Sequence, residues 1–318
     1  MFGAIVIAGL GIYFSLKPVP LPHTPLEFTL KQGSSLKSAA HQMKQAGVLE
    51  NDWAFVMLAR GLGKATQIKY GNYQLEKAIS RLELLDIISS GRTEQSQITI
   101  IEGDTFNQLR ALLNAHPGLR HDSTLLSESE VLQRIGAAEP VAEGLFFPDT
   151  YNFASGSSDL LVLKRAYQTM QRHLQETWQT RDANLPFDSP YQALILASIV
   201  EKETGQPVDR PMIASVFINR LQKKMRLQTD PSVIYGMGDK FDGNLRKKDL
   251  QQDTLYNTYT RTGLTPTPIA LPGLASLQAV LHPASSKALY FVARGDGSSQ
   301  FSESLTEHNN AVNRYQKK

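Results

Sequence analysis

The chain has no cysteine among its 318 residues. That absence excludes disulfide staples, thiol nucleophiles and cysteine-based zinc sites together, and it leaves the redox compartment open. Clustered positive charge is also lacking, because the net charge is only +3 and no five consecutive Lys or Arg occur. Nucleic-acid binding leaves such a basic footprint, so no nucleic-acid partner is expected. The histidines at 23, 41, 116, 121, 173, 282 and 308 never reach H-E-x-x-H spacing, and no G-x-S-x-G elbow or P-loop is present. Gly9-x-Gly11 and Gly61-x-Gly63 each lack the third glycine of a dinucleotide fingerprint. Neither a metal site nor a cofactor is therefore expected. What is present is a globular composition, 41% hydrophobic and 20% charged, long enough for two or more packed units.

Met1 to Leu16 is uncharged and largely apolar, and Lys17 and three prolines (Pro18, Pro20, Pro22) follow it. The stretch is slightly shorter than the roughly 18 to 20 residues of a spanning helix. No positive charge precedes it, as a signal peptide would require. A membrane anchor over residues 1–17 is the favoured expectation, with a cleaved signal sequence or a buried N-terminal helix as alternatives.

After the proline-rich spacer, Leu26, Phe28 and Leu30 alternate as in a strand, and Gln32-Gly33 turns it. Ser34 or Ser35 can cap a helix carrying Leu36, Ala39, Ala40 and Met43 and ending at Gly47. Asn51 or Asp52 can cap another, with Trp53, Val56, Met57 and Ala59 along it. A short strand near Tyr70 completes a βααβ pattern, followed by a helix from Ser80 to Ile88; residues 26–93 are similar to a LysM module, with a plain packing subdomain as the alternative. Ile98, Ile100 and Ile101 form a further strand. Asp104 or Thr105 would then cap a helix through Leu109, Leu112 and Leu113. The expected fold class is α+β, with residues 94–318 forming a second domain of helices packed with an antiparallel sheet.

Tyr191 to Thr204 holds no proline or glycine and is apolar nearly all round, so it predicts a buried helix stopped by Gly205. Two carboxylates lie at its end. The positions three, four and seven before Glu203 are Val200, Ile199 and Leu196, all large and apolar. Those before Glu201 are Ser198, Ala197 and Leu194, and the two acids project roughly 200° apart. A carboxyl against an apolar face is harder to ionise, which suits Glu203 to proton donation. The alternative is that both acids sit in water at a fraying helix end. Glu201 is expected to hold a nearby basic group, with Arg220 the candidate. Asp149, behind Pro148, reads as a turn or helix cap.

Beyond the helix, amides, hydroxyls and tyrosines collect in a way that suits sugars. Gln228, Asp230, Tyr235, Asn257 and Tyr259 are candidates to bind sugar hydroxyls, N-acetyl groups or a developing positive charge, or else to form turns and interior hydrogen bonds.

VEKETG, SVFINRL, MRLQTDPSVIYG, YNTYTRTGL, IALPG and the terminal YFV…G…F…EHN, together with EGLFFPDTY and TLKQGSSL, resemble the signature of the MltG (YceG-like) family of endolytic murein transglycosylases. The likeness runs from about residue 26 to near the end. It implies a single-pass inner-membrane protein with its catalytic domain in the periplasm, near the synthases that make new glycan. It also implies a lyase that cleaves peptidoglycan strands internally. The family's catalytic acid is the second glutamate of E-K-E-T, which falls on Glu203. One residue would then serve as acid and base in turn, closing a 1,6-anhydro ring on MurNAc. Two other readings remain: a hydrolytic muramidase using Glu203 with Asp230, and a non-catalytic peptidoglycan-binding scaffold.

Overall fold

A computed structural model of the protein describes residues 15–31, 33–75, 77–90, 95–154, 156–203, 206 and 208–316. The chain divides into two compact units. The first comprises Met1–Ile98, His116–His121 and Thr150–Asp159, and the second comprises Thr99–Ala115, Asp122–Asp149 and Leu160–Lys318. The division is thus not a single cut: two short returns of the chain belong to the first unit.

In the first unit, β1 (Leu26–Leu30) pairs antiparallel with β2 (Gly71–Leu75), Leu26 opposite Leu75 and Leu30 opposite Gly71. Alternation turns Leu26, Phe28 and Leu30 inward, and Phe28 stacks on its cross-strand neighbour Tyr73 at 5.2 Å. Helix α1 (Leu36–Gln45) starts where Ser35 Oγ accepts the N–H of Ser38 at 3.3 Å. It presents Leu36, Ala39, Ala40 and Met43 to the core. Helix α2 (Asp52–Gly61) buries Ala54, Phe55, Val56 and Ala59. Trp53 and Met57, four residues apart on the same helix, stay largely exposed, because Phe55 and Ala59 take the inward face. Helix α3 (Arg81–Ser90) closes this core with Leu84, Leu85 and Ile88. Two small sheets follow: β3 (Gln95–Thr99) with β5 (Thr150–Ala154), and β4 (Leu119–Arg120) parallel to β6 (Ser157–Ser158).

The second unit is mainly helical. Thr105 Oγ1 accepts from Gln108 N at 3.3 Å at the start of α4 (Phe106–Ala115). A Ser127–Glu130 capping box opens α5 (Glu128–Ile135), which ends at left-handed Gly136. Next come α6 (Asp159–Gln179) and α7 (Pro190–Glu203), in which every residue from Ala193 to Val200 is buried. Helix α7 is surrounded by α8 (Arg210–Gln222), α9 (Asp230–Met237) and α11 (Leu274–Leu281). The short α10 (Lys247–Gln251) lies between α9 and α11 in sequence. The chain ends with a hairpin of β7 (Tyr290–Ala293) and β8 (Ser299–Ser302), covered by α12 (Leu305–Tyr315). The fold is α+β with small sheets, and among the described residues the antiparallel layer expected beside the helices of this unit is reduced to one two-stranded hairpin.

Among the described residues no helix is long and apolar enough to cross a membrane. Helix α6 has the length, at 21 residues, but Lys164, Arg165, Arg172 and Glu176 run along it. This corrects the expected single-pass inner-membrane arrangement. Residues 1–14 of the expected anchor lie outside the described residues.

The proline-dense segment before α11 is internal. Thr265, Thr267, Ile269, Ala270 and Leu271 are all buried, and Ser198 Oγ in the middle of α7 accepts the N–H of Ile269 at 2.9 Å. Pro268 of this segment packs directly over Gly144, whose φ of 80° is left-handed. A side chain there would collide with the proline ring. Gly144→Ala is expected to lower the unfolding free energy by about 2 to 4 kcal/mol, from overpacking plus a strained backbone, read as a reduced urea midpoint at unchanged slope.

Candidate active site

Helix α7 is buried on every face from Ala193 to Val200, so its last turn is delivered to the rim of the core. Its last residue is Glu203. Val200, Ile199 and Leu196, its neighbours along the helix face, are each 0% exposed. The carboxyl is itself partly buried, and burial pushes its pKa up from the ordinary range. Nearby Asp230 pushes the same way, while a hydrogen bond from Thr229 and the charge of Arg220 oppose it. Its place at the negative end of a helix further disfavours the ionised form. Thr229 Oγ1 donates to Glu203 Oε1 at 2.5 Å.

Glu203 opens onto a cleft of about 560 Å³, which Arg220, Gln228, Asp230, Tyr259, Tyr290 and His308 also line. Asp230 begins α9, and Tyr259 donates its hydroxyl to Asp230 Oδ1 at 2.6 Å. Burial and this carboxylate push the Tyr259 hydroxyl pKa upward. Gln228 holds a left-handed φ of 52°, a conformation that costs a side-chain-bearing residue about 1 kcal/mol or more. Its N–H donates to Thr258 O at 3.1 Å and its side chain accepts from Arg220 Nη1 at 3.4 Å.

Arg220 knits this wall together. Its Nε donates to Leu289 O at 2.7 Å, and its Nη1 donates to Leu227 O at 2.8 Å. The guanidinium lies 5.1 Å from the centroid of the Tyr290 ring, and Tyr290 stacks on His308 at 5.2 Å. Burial holds the His308 pKa down, and Arg220 adds to this, so the imidazole in the cleft is neutral at neutral pH.

Of the residues expected from sequence, the structure brings Glu203, Gln228, Asp230 and Tyr259 to one cleft. It does not bring Tyr235 or Asn257 there. Asn257 is 0% exposed, and its amide donates to the carbonyls of Leu250 at 3.1 Å and Gln252 at 2.7 Å, so it staples the chain after α10. Tyr235 turns away to donate to Glu143 Oε2 at 3.1 Å. Thr229, Arg220, Tyr290 and His308 are cleft-building residues that pattern reasoning passed over, although each stands inside a motif block already singled out. Glu143 was likewise missed. It is 5% exposed, accepts the N–H of Phe106 at 3.0 Å at the start of α4, and is pushed by burial to a pKa of about 7.

Glu201 does hold a basic group, but the partner is Arg210 at 3.1 Å, not Arg220. Its other oxygen accepts from Gly273 N at 2.9 Å and from Ser276 Oγ at 2.7 Å, the first turn of α11. One carboxylate thereby ties α7 to α8 and supplies an N-terminal cap to α11.

Residues 28–314 match the YceG-like family. The chain belongs to that family. Among its relatives, the endolytic murein transglycosylase of Bacillus subtilis is 32% identical over 98% of this chain and 91% of its own length. The endolytic murein transglycosylase of Streptococcus pneumoniae serotype 2 is 28% identical over 83% of this chain, but only 53% of the pneumococcal protein is matched. The crystal structure of a yceG-like protein from Listeria monocytogenes, 28% identical, aligns with a TM-score of 0.55 over 90% of this chain and 98% of that one. These YceG-like relatives share sequence across both units, not in the second alone.

Two stability predictions follow from the buried acids. Glu201→Ala leaves the guanidinium of Arg210, whose side chain is 11% exposed, with only the longer 4.0 Å contact to Glu102, and should cost about 3 kcal/mol by chemical denaturation. Glu143 has the opposite pH signature to a paired carboxylate. Its folded pKa of about 7 lies above the ordinary 4.5, so the unfolded chain binds fewer protons in that interval. Stability should therefore fall as pH rises from 4.5 to about 7. Glu143→Gln should flatten that part of the profile, which denaturation midpoints of both proteins across the interval would reveal.

Proposed function

We propose that this chain is a peptidoglycan lytic transglycosylase that cuts glycan strands internally at the MurNAc–GlcNAc bond. The observation that carries the reading is Glu203, a partly buried carboxyl at the end of α7 whose ionisation burial disfavours, opening onto a cleft lined by hydroxyls, amides and aromatic rings. The chain's membership of the YceG-like family and its likeness to endolytic murein transglycosylases of Bacillus and Streptococcus support the same reading.

In this mechanism Glu203 gives its proton to the bridging oxygen as the glycosidic bond breaks. The carboxylate left behind accepts the proton of the MurNAc 6-hydroxyl, whose oxygen attacks C1. The ring closes as a 1,6-anhydro sugar and no water is consumed. Intramolecular attack needs orientation more than a strong base, since effective molarities reach about 10⁵ M or more. One acid suffices, whereas a hydrolytic muramidase would call on a second, Asp230. Gln228, Asp230 and Tyr259 are assigned to substrate binding. Residues 26–93 are read as a LysM-like module and 94–318 as the catalytic domain, with trimming or termination of new strands beside their synthases as the cellular role.

Glu203→Gln should reduce turnover of purified peptidoglycan by at least about 10³-fold, the scale of losing an essential proton donor, while the protein stays folded. Mass spectrometry of the released muropeptides should find 1,6-anhydro ends. Reducing ends from the wild-type enzyme would favour the hydrolase instead. Unchanged glycan lengths on Glu203 substitution would favour a scaffold.

A further inference from the structure

Thr229 is 1% exposed and belongs to the turn before α9. Its main chain is held from both sides: the N–H donates to Thr258 Oγ1 at 3.0 Å, and the carbonyl accepts from Ser232 Oγ at 2.9 Å and from Thr258 Oγ1 at 3.3 Å. The Ser232 and Thr258 hydroxyls meet each other at 2.9 Å, both buried. The side chain has a different task. Among the described residues its hydroxyl makes one hydrogen bond, to Glu203 Oε1 at 2.5 Å, and the Glu203 carboxyl has no other hydrogen-bond partner there. A buried β-branched residue on so fixed a backbone has little rotamer freedom, so the hydroxyl is presented at one place.

We infer that Thr229 is a positioning residue for the reaction proposed above: by occupying one carboxyl oxygen of Glu203, its hydroxyl confines the transferable proton to the other, Oε2. The inference rests on that proposed reaction for its kinetic consequence, but not for its geometry. A hydrogen bond to a carboxyl group strengthens as the group ionises. The same contact therefore assists departure of the proton and steadies the carboxylate until it takes a proton back. The groups facing Glu203 from neighbouring elements divide in sign. Asp230 of α9 opposes ionisation and Arg220 of α8 favours it. Tyr259 is bound to Asp230, and Tyr290 of β7 and His308 of α12 complete the lining.

Thr229→Val keeps the shape of the side chain and every main-chain bond while deleting the hydroxyl. For this variant kcat on peptidoglycan should fall about tenfold or more, the scale of a hydrogen bond to a charged group, with KM within about twofold of wild type. The alkaline limb of the kcat profile should move to higher pH, since the contact that favours ionisation is gone. Thr229→Ser should restore both. A readout independent of turnover is the side-chain carboxyl ¹³C resonance of Glu203, assigned by its disappearance in Glu203→Gln. It should titrate at higher pH in Thr229→Val than in wild type or Thr229→Ser. An unmoved resonance, or a Val variant with wild-type kcat and pH limb, overturns the inference. If the resonance shifts as expected but the wild-type protein yields no anhydro product, the positioning contact stands and the proposed reaction falls.

Discussion

An apolar helix enclosed on every side must end somewhere, and the end is where its backbone carbonyls and any charge it carries must be accommodated. In this chain α7 ends with two glutamates two positions apart, and the helical repeat sends them into opposite surroundings. Glu201 meets a guanidinium, a backbone N–H and a hydroxyl, a setting in which a carboxylate is fully satisfied. Glu203 meets the apolar side of its own helix and one hydroxyl, a setting that favours the protonated acid. The contrast lets one fully satisfied carboxylate and one carboxyl proposed as the acid coexist within a single turn. It also makes the second depend on the first, because Glu201 ties α7 to α8 and to the start of α11, two of the helices packed against it.

The cleft is assembled from segments distant in sequence, each anchored through its backbone. Thr229 is held by Ser232 and Thr258, and the residues after α10 are held by the amide of Asn257. Arg220 joins the 226–228 turn to the start of β7 through main-chain carbonyls. Buried polar side chains that answer backbone groups in this way confer rigidity, which the proposed single-acid reaction would require. The left-handed Gln228 fits this pattern, being strained backbone confined to the cleft wall.

Legibility in the sequence followed the range of the interactions involved. Alternation in β1, the small inward face of α1 and the uniform apolarity of α7 are local patterns, and they match the observed elements closely. The separation of Glu201 from Glu203 needed only the helical repeat. Tyr235 and Asn257 resisted, since a polar residue in a turn-rich segment looks the same whether it faces a ligand or a neighbouring carbonyl. Glu143 gave no local sign of burial, as its partners Phe106 and Tyr235 stand 37 and 92 residues away. The partner of Glu201 was misjudged for the same reason: two arginines on α8 were available, and only packing chose between them.

The sequence by itself determined the main element pattern, the family and the separation of Glu201 from Glu203, because helix periodicity and ordered motifs are written in neighbouring residues. The tertiary structure alone decided which polar residues gather round Glu203, which of them hold the scaffold instead, and that a threonine hydroxyl reaches it. Those outcomes turn on hydrogen bonds across long stretches of chain, and a donor's partner is known only once burial has removed water as the alternative.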